Sequence, residues 1–149
     1  MGTRWRNAAV VCLLVVLTVA FLVTVASGTA AVRQPSTVDT RLVGKWTRTV
    51  TSADAKRARG LAIFAGHLFT LTITKGGSWK ASTPNLGAFG EADGQIVPAG
   101  THRIRFVDGS GPGGVYSWRV SGRLLTFTKL KDSVSDRVMV FWGTWTRKG

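Results

Sequence analysis

The sequence predicts an all-β fold, a single antiparallel up-and-down β-barrel of about eight strands, with a short helix after the first strand and a hydrophobic helix at the N-terminus. Three observations carry this prediction. From Leu42 onward, short segments of alternating apolar and polar residues follow one another, separated by turn signals. Such consecutive hairpins form a meander, and closing a meander removes its exposed edges. The second observation is a repeated frame, Gly44-Lys45-Trp46-Thr47-Arg48 and Gly143-Thr144-Trp145-Thr146-Arg147, at the two ends of the meander. The first and last strands are therefore expected to lie side by side. Finally, the single cysteine, Cys12, falls in the N-terminal apolar run, so no disulfide staples the remainder. The 118 residues from Val32 to Gly149 must be held by an apolar core. A domain of that size buries roughly two-thirds of its unfolded surface, which suffices.

Residues 1–31 read as a signal peptide or membrane anchor, 32–41 as a linker and 42–149 as the barrel. Ala8 to Ala26 is a run of nineteen uncharged residues behind Arg4 and Arg6. As a helix it would be about 28 Å long, near the ~30 Å hydrocarbon thickness of a bilayer. Small residues follow from Ala26 to Ala31, and a cut after Gly28 or Ala31 satisfies the small-residue rule for signal cleavage. Secretion and anchoring in the cytoplasmic membrane both stay open, and both place the barrel outside the cytoplasm. Val11, not a small residue, precedes Cys12, which argues against lipid attachment there.

The first strand spans Leu42 to Thr51. Ser52 to Arg59 holds good helix formers, with Ser52 as N-cap and Gly60 as stop. Leu61 to Ala65 is undecided between helix and strand. Leu68 to Lys75 alternates, and Gly76-Gly77 turns it into a strand over Ser78 to Ser82. Pro84 to Asp93 is glycine-rich and irregular, with a short strand around Phe89, and Gln95 to Val97 forms another. His102 to Val107 alternates, with Ile104 and Phe106 on one face. The loop Asp108 to Gly114 lacks the lysine and following helix of a phosphate-binding loop. Val115 to Val120 and Leu124 to Lys129 form a hairpin about Ser121-Gly122. The last and longest strand is expected over Arg137 to Arg147. The inward set is then Leu42, Trp46, Phe69, Leu71, Ile73, Trp79, Ile104, Phe106, Tyr116, Trp118, Val120, Leu125, Phe127, Met139, Phe141 and Trp145. Val138, Val140 and Trp142 break the alternation and are expected beneath the helix at 52–59 or against a partner.

At Gly44-Lys45-Trp46 the chain resembles the lipocalins and the wider calycin superfamily, most of all the small bacterial lipocalin-like domains. The resemblance covers residues 42 to 147. It implies that Trp46 closes one end of the barrel and that Arg147 packs over it, with Trp145 echoing the motif at the other end. It also implies an interior that binds a small apolar molecule. The chain departs from the typical pattern in having no disulfide in the barrel and no long helix between the last strand and Gly149.

The formal net charge is +13; Arg4 and Arg6 contribute two of these and no acidic residue precedes Val32, leaving +11 on the remainder. The basic residues are scattered, as on a solvated outer wall, and Lys56-Arg57-Ala58-Arg59 is their tightest cluster. Two function classes compete. In one, the barrel binds a small apolar or amphipathic ligand, with Trp46, Trp79, His102, Ile104, Phe106, Tyr116, Trp118, Phe127 and Phe141 on its wall. In the other, the core is solid and the basic exterior engages an anionic membrane or cell-envelope surface. Catalysis is not expected: His67 and His102 stand alone, and Gly-x-Ser-x-Gly is absent. Two isolated histidines do not make a metal site, and no cofactor is expected. Nucleic acid is not expected either, because aromatics and arginines fall mostly on opposite faces. Asp132, Asp136 and Arg137 are expected to fix a turn through an ion pair, worth under ~1 kcal/mol if exposed.

Overall fold

The computed structural model describes residues 37–149; the expected signal peptide or anchor at 1–31, with its apolar run Ala8–Ala26, and the first half of the linker lie outside the described residues. Eight antiparallel strands close into one barrel in sequence order. They are β1 (Gly44–Thr49), β2 (Leu68–Ile73), β3 (Ser78–Ser82), β4 (Glu91–Pro98), β5 (Arg103–Val107), β6 (Gly114–Ser121), β7 (Leu124–Lys131) and β8 (Gly143–Arg147). This up-and-down closure is compatible with a lipocalin-like fold. The seam is formed by the two repeated frames: Trp46 stands opposite Arg147 and Thr47 opposite Thr146.

Strands β1 to β3 and β5 to β7 form where the alternation predicts, whereas β4 begins at Glu91, inside the stretch expected to be irregular. On β2, Phe69, Leu71 and Ile73 point inward between half-buried threonines. On β5, Ile104 and Phe106 are buried while Arg103 and Arg105 are exposed. Fifteen of the sixteen expected inward residues are buried, and Val120 at the barrel's lower end is only partly so. Ile96, Ala81 and Val38 join them. Gly94 stands opposite Trp79, and a Cβ there would collide with the Val107 carbonyl and crowd the Trp79 indole nitrogen at 3.1 Å.

The connections at the two ends differ. The lower end has tight turns and the segment Thr37–Val43, which buries Val38 and Leu42. The upper mouth is crossed by longer connections. Between β1 and β2 runs a helix, α1 (Ser52–Ala58), followed by a 3-10 turn at Ala62–Phe64. The N-cap of α1 is Thr51, one residue before the expected Ser52. Thr51 accepts from the Asp54 N–H, and Asp54 in turn accepts from the Thr51 N–H, which is a capping box. Pro84–Gly90 carries a 3-10 turn at Gly87–Gly90, in place of the short strand expected around Phe89.

The largest departure concerns the last connection. The expected strand over Arg137–Arg147 is a strand only from Gly143; before it stands a second helix, α2 (Ser135–Phe141). Arg137 to Phe141 are all buried, so this helix has no water-facing stripe. A helix buried all round shows no amphipathic period, and its apolar run cannot be told from a buried strand by pattern alone. The eleven residues between Lys131 and Gly143 are more than a hairpin between the adjacent strands β7 and β8 needs, and they leave room for this helix at the mouth. Val138 and Val140 are buried in α2, Trp142 is half-buried just after it, and the helix packs against α1.

Candidate functional site

Phe141 leaves α2 pointing down into the barrel, where its ring stacks on Phe106 with centroids 4.0 Å apart. Trp79 meets both rings edge-on, at 5.1 Å from Phe141 and 5.5 Å from Phe106. Its indole N–H donates to the Gln95 carbonyl at 3.2 Å. Above these rings the inner faces of β2 to β4 diverge from α2 and leave a pocket of about 240 Å³. Its apolar lining includes Phe64, Phe69, Trp79, Val140 and Phe141, and its outer edge is the exposed Leu61.

The pocket's polar side is built on Arg137. Its Nε donates to Asp132 Oδ2 at 2.8 Å and its Nη2 to Asp132 Oδ1 at 2.8 Å, a bidentate pair. Nη1 reaches Asp108 at 2.9 Å and Nη2 also reaches the Pro112 carbonyl at 2.7 Å. Tyr116 completes the group, donating its hydroxyl to Asp132 Oδ2 at 2.6 Å. The expected ion pair at this connection forms between Arg137 and Asp132, not Asp136, and it is buried, the two side chains being 3% and 0% exposed. Gly114 makes room for it: a Cβ there would fall on the Asp132 carboxylate. Burial opposes charge on Arg137, but the bonds to Asp132 and Asp108 outweigh it and hold the proton more tightly than usual. Burial likewise works to raise the Asp108 carboxyl, yet bonds from Ser110 and Arg137 bring it below its ordinary range. Desolvation, then the Asp132 carboxylate, push the Tyr116 phenol upward, so it stays a donor. This cluster ties the β5–β6 loop, the end of β7 and the start of α2 together at the pocket's rim.

A second hollow, of about 360 Å³, lies at the lower end. Trp118 lines it, with the Arg41 guanidinium 5.0 Å from the ring centroid and the His102 ring edge-on at 5.2 Å. His102 is exposed and sits in a turn at φ 53°, before β5 rather than on its inward face. At the same end Arg147 stands 4.1 Å from the Trp46 ring centroid, and the Trp46 indole N–H donates to the Leu42 carbonyl at 2.9 Å.

The nine residues expected on a ligand-binding wall therefore divide. Trp79 and Phe141 line the upper pocket. His102, Ile104 and Trp118 line the lower hollow. Trp46, Phe106, Tyr116 and Phe127 line neither and are fully buried; the last three touch other rings, and Trp46 lies under Arg147. Trp145 lies under Arg48. Sequence reasoning misses Val140 and Arg137 as pocket residues because the segment that carries them reads as a strand, and Phe64 because Leu61 to Ala65 is undecided between helix and strand. Among the described residues no three His, Cys, Asp or Glu side chains converge as metal ligands would. No family model, curated protein or solved structure matches this chain.

Proposed function

We propose that the protein is an exported, lipocalin-like barrel that binds a small apolar or amphipathic molecule at its helix-covered mouth. The observation that carries this reading is the upper pocket, where four aromatic rings, Phe64, Phe69, Trp79 and Phe141, meet beside a buried polar cluster. Concave, mostly apolar pockets with a few convergent polar groups are the usual form of small-molecule sites. At about 240 Å³ the pocket is larger than a cavity of about 150 Å³, which already takes up benzene. It suits a ligand the size of one substituted ring or a short alkyl chain. The deep interior is occupied by Phe106, Tyr116, Phe127 and Trp145 and favours a shallow site over a central one. Export rests on the uncharged run Ala8–Ala26 behind Arg4 and Arg6.

Trp79 makes the reading testable by intrinsic fluorescence. Titration with short apolar probes is expected to shift or quench emission. Val140→Phe, which fills the pocket from α2, is expected to weaken binding about tenfold or more, whereas Trp118→Ala, at the opposite end, leaves it unchanged. Binding unaffected by Val140→Phe and lost in Trp118→Ala would move the site to the lower hollow and overturn the assignment.

A second reading has its own observation. Strands β5 to β7 carry Arg103, Arg105, Arg119, Lys129 and Lys131 and no carboxylate. Such a wall suits an anionic membrane or cell-envelope surface, and vesicle adhesion that falls with salt would favour it.

A further inference from the structure

Taking the mouth pocket as the ligand site, we propose that its ligand is a cationic amphiphile: an alkyl- or aralkylammonium with its body in the pocket and its charge at the rim. The chain carries twenty Lys and Arg against seven Asp and Glu. At the pocket this balance inverts: Glu91, Asp108 and Asp136 line it, with Arg137 as the only basic lining residue. Arg137 offers little to an incoming anion, because its four hydrogen bonds already run to Asp132, Asp108 and Pro112. The carboxylates are less engaged. Asp136 forms no ion pair among the described residues, and its Oδ1 takes only a long bond, 3.4 Å, from the Leu61 N–H. Asp108 receives Arg137 and Ser110 on Oδ1, while its Oδ2 has no hydrogen-bond partner among the described residues. Glu91 meets Lys80 at 3.0 Å, but both side chains are more than half exposed, so this pair holds its charge weakly.

An ammonium head beside Asp136 and Asp108 would neutralise a local excess of negative charge. Its alkyl body would displace water from Phe64, Trp79 and Phe141. A carboxylate on the same body would face like charges across a partly shielded pocket, which disfavours it strongly. Charge at the rim thus selects the head group, and the aromatic floor takes up any body of the right size.

The test compares hexylammonium, hexanol and hexanoate, which share one body, titrated into the full chain at neutral pH and low salt. Tryptophan emission and backbone amide shifts report binding. Hexylammonium is expected to bind about tenfold or more tighter than hexanoate, with hexanol between them. Asp136→Asn is expected to reduce the preference of hexylammonium over hexanol about fivefold and to leave hexanol affinity within about twofold. Raising salt should narrow the gap between the three. Hexanol or hexanoate binding as tightly as hexylammonium would overturn the cationic head group while leaving the pocket as a ligand site. A preference that survives in both Asp136→Asn and Asp108→Asn would overturn it equally. Failure of all three probes to bind would overturn the pocket reading itself, and this inference with it.

Discussion

Arg48 lies over the Trp145 ring and Arg147 over the Trp46 ring, so each repeated pentapeptide covers the tryptophan of the other. The glycine that opens each frame clears the path. A Cβ on Gly44 would stand 2.8 Å from Arg147 Nη1, and one on Gly143 would stand 2.6 Å from the Arg48 guanidinium carbon. The two arginines nonetheless differ in environment. Arg147 is partly exposed and donates to the Val43 and Arg41 carbonyls. Arg48 is buried, pairs with Asp54 at 2.7 Å and donates to the Met139, Val140 and Trp142 carbonyls at the C-terminal end of α2. Removing one partner of a buried pair costs about 3–5 kcal/mol, because a charge is left without its counterion. Arg48→Ala is therefore expected to lower stability by about 3 kcal/mol or more, and Arg147→Ala by about 1 kcal/mol, from loss of an exposed cation–π contact. Urea unfolding followed by tryptophan emission measures both. Equal losses would show that burial does not distinguish the two sites. The repeated frame held the signal for Arg48, since whatever Arg147 does for Trp46 its counterpart should do for Trp145. What the frame does not contain is Asp54, which decides that Arg48 can be buried.

At the scale of elements, helix α1 was legible because its signals are local. A capping residue, good helix formers and Gly60 lie within ten residues. Thr51 both caps α1 and orients Asp54 towards Arg48. Thr51→Ala is expected to cost about 1–2 kcal/mol, at the upper range for an N-cap, because it also loosens that carboxylate. Thr51→Ser should restore most of it, since the hydroxyl is kept, and thermal denaturation of the two variants tests this. A Ser variant as weak as the Ala variant would mean that the threonine methyl, not the cap, matters. Helix α2 was not legible. Val138-Met139-Val140-Phe141-Trp142 suits a buried strand or a buried helix equally. Its helical state is selected by contacts distant in sequence: Arg137 held by Asp108 and Asp132, Phe141 on Phe106, and Arg48 at its C-terminal carbonyls.

For the whole molecule, two carboxylates set an acid limit. Burial works to raise the Asp54 carboxyl, but bonds from Thr51 and the charge of Arg48 hold it below the ordinary value of 3.8. Asp108 is held low in the same direction. A carboxyl depressed in the folded state makes the unfolded chain the better proton acceptor. The stability it contributes is complete above the unfolded value and is lost as pH falls through the folded one. The melting temperature is therefore expected to be level near neutrality and to fall steeply below about pH 4. Asp54→Asn should flatten that fall while lowering stability at neutral pH. An unchanged acid profile in this variant would place the acid sensitivity elsewhere.

The sequence by itself determined the barrel: its strand order, its closure through the two Gly-x-Trp-Thr-Arg frames, and nearly all of its inward residues. Each of these follows from a period of two and from turn residues, and both are properties of neighbouring positions. Only the tertiary structure decided what covers the mouth and hence where a pocket lies. The aromatic residues of the inward face are equally apolar in the sequence, and nothing local says which of them fill the interior and which border space. That division depends on α2 and the 3-10 turn at Ala62–Phe64 crossing over β2 to β4. It also depends on a buried charge cluster assembled from Asp108, Tyr116, Asp132 and Arg137, which the chain brings together only on folding.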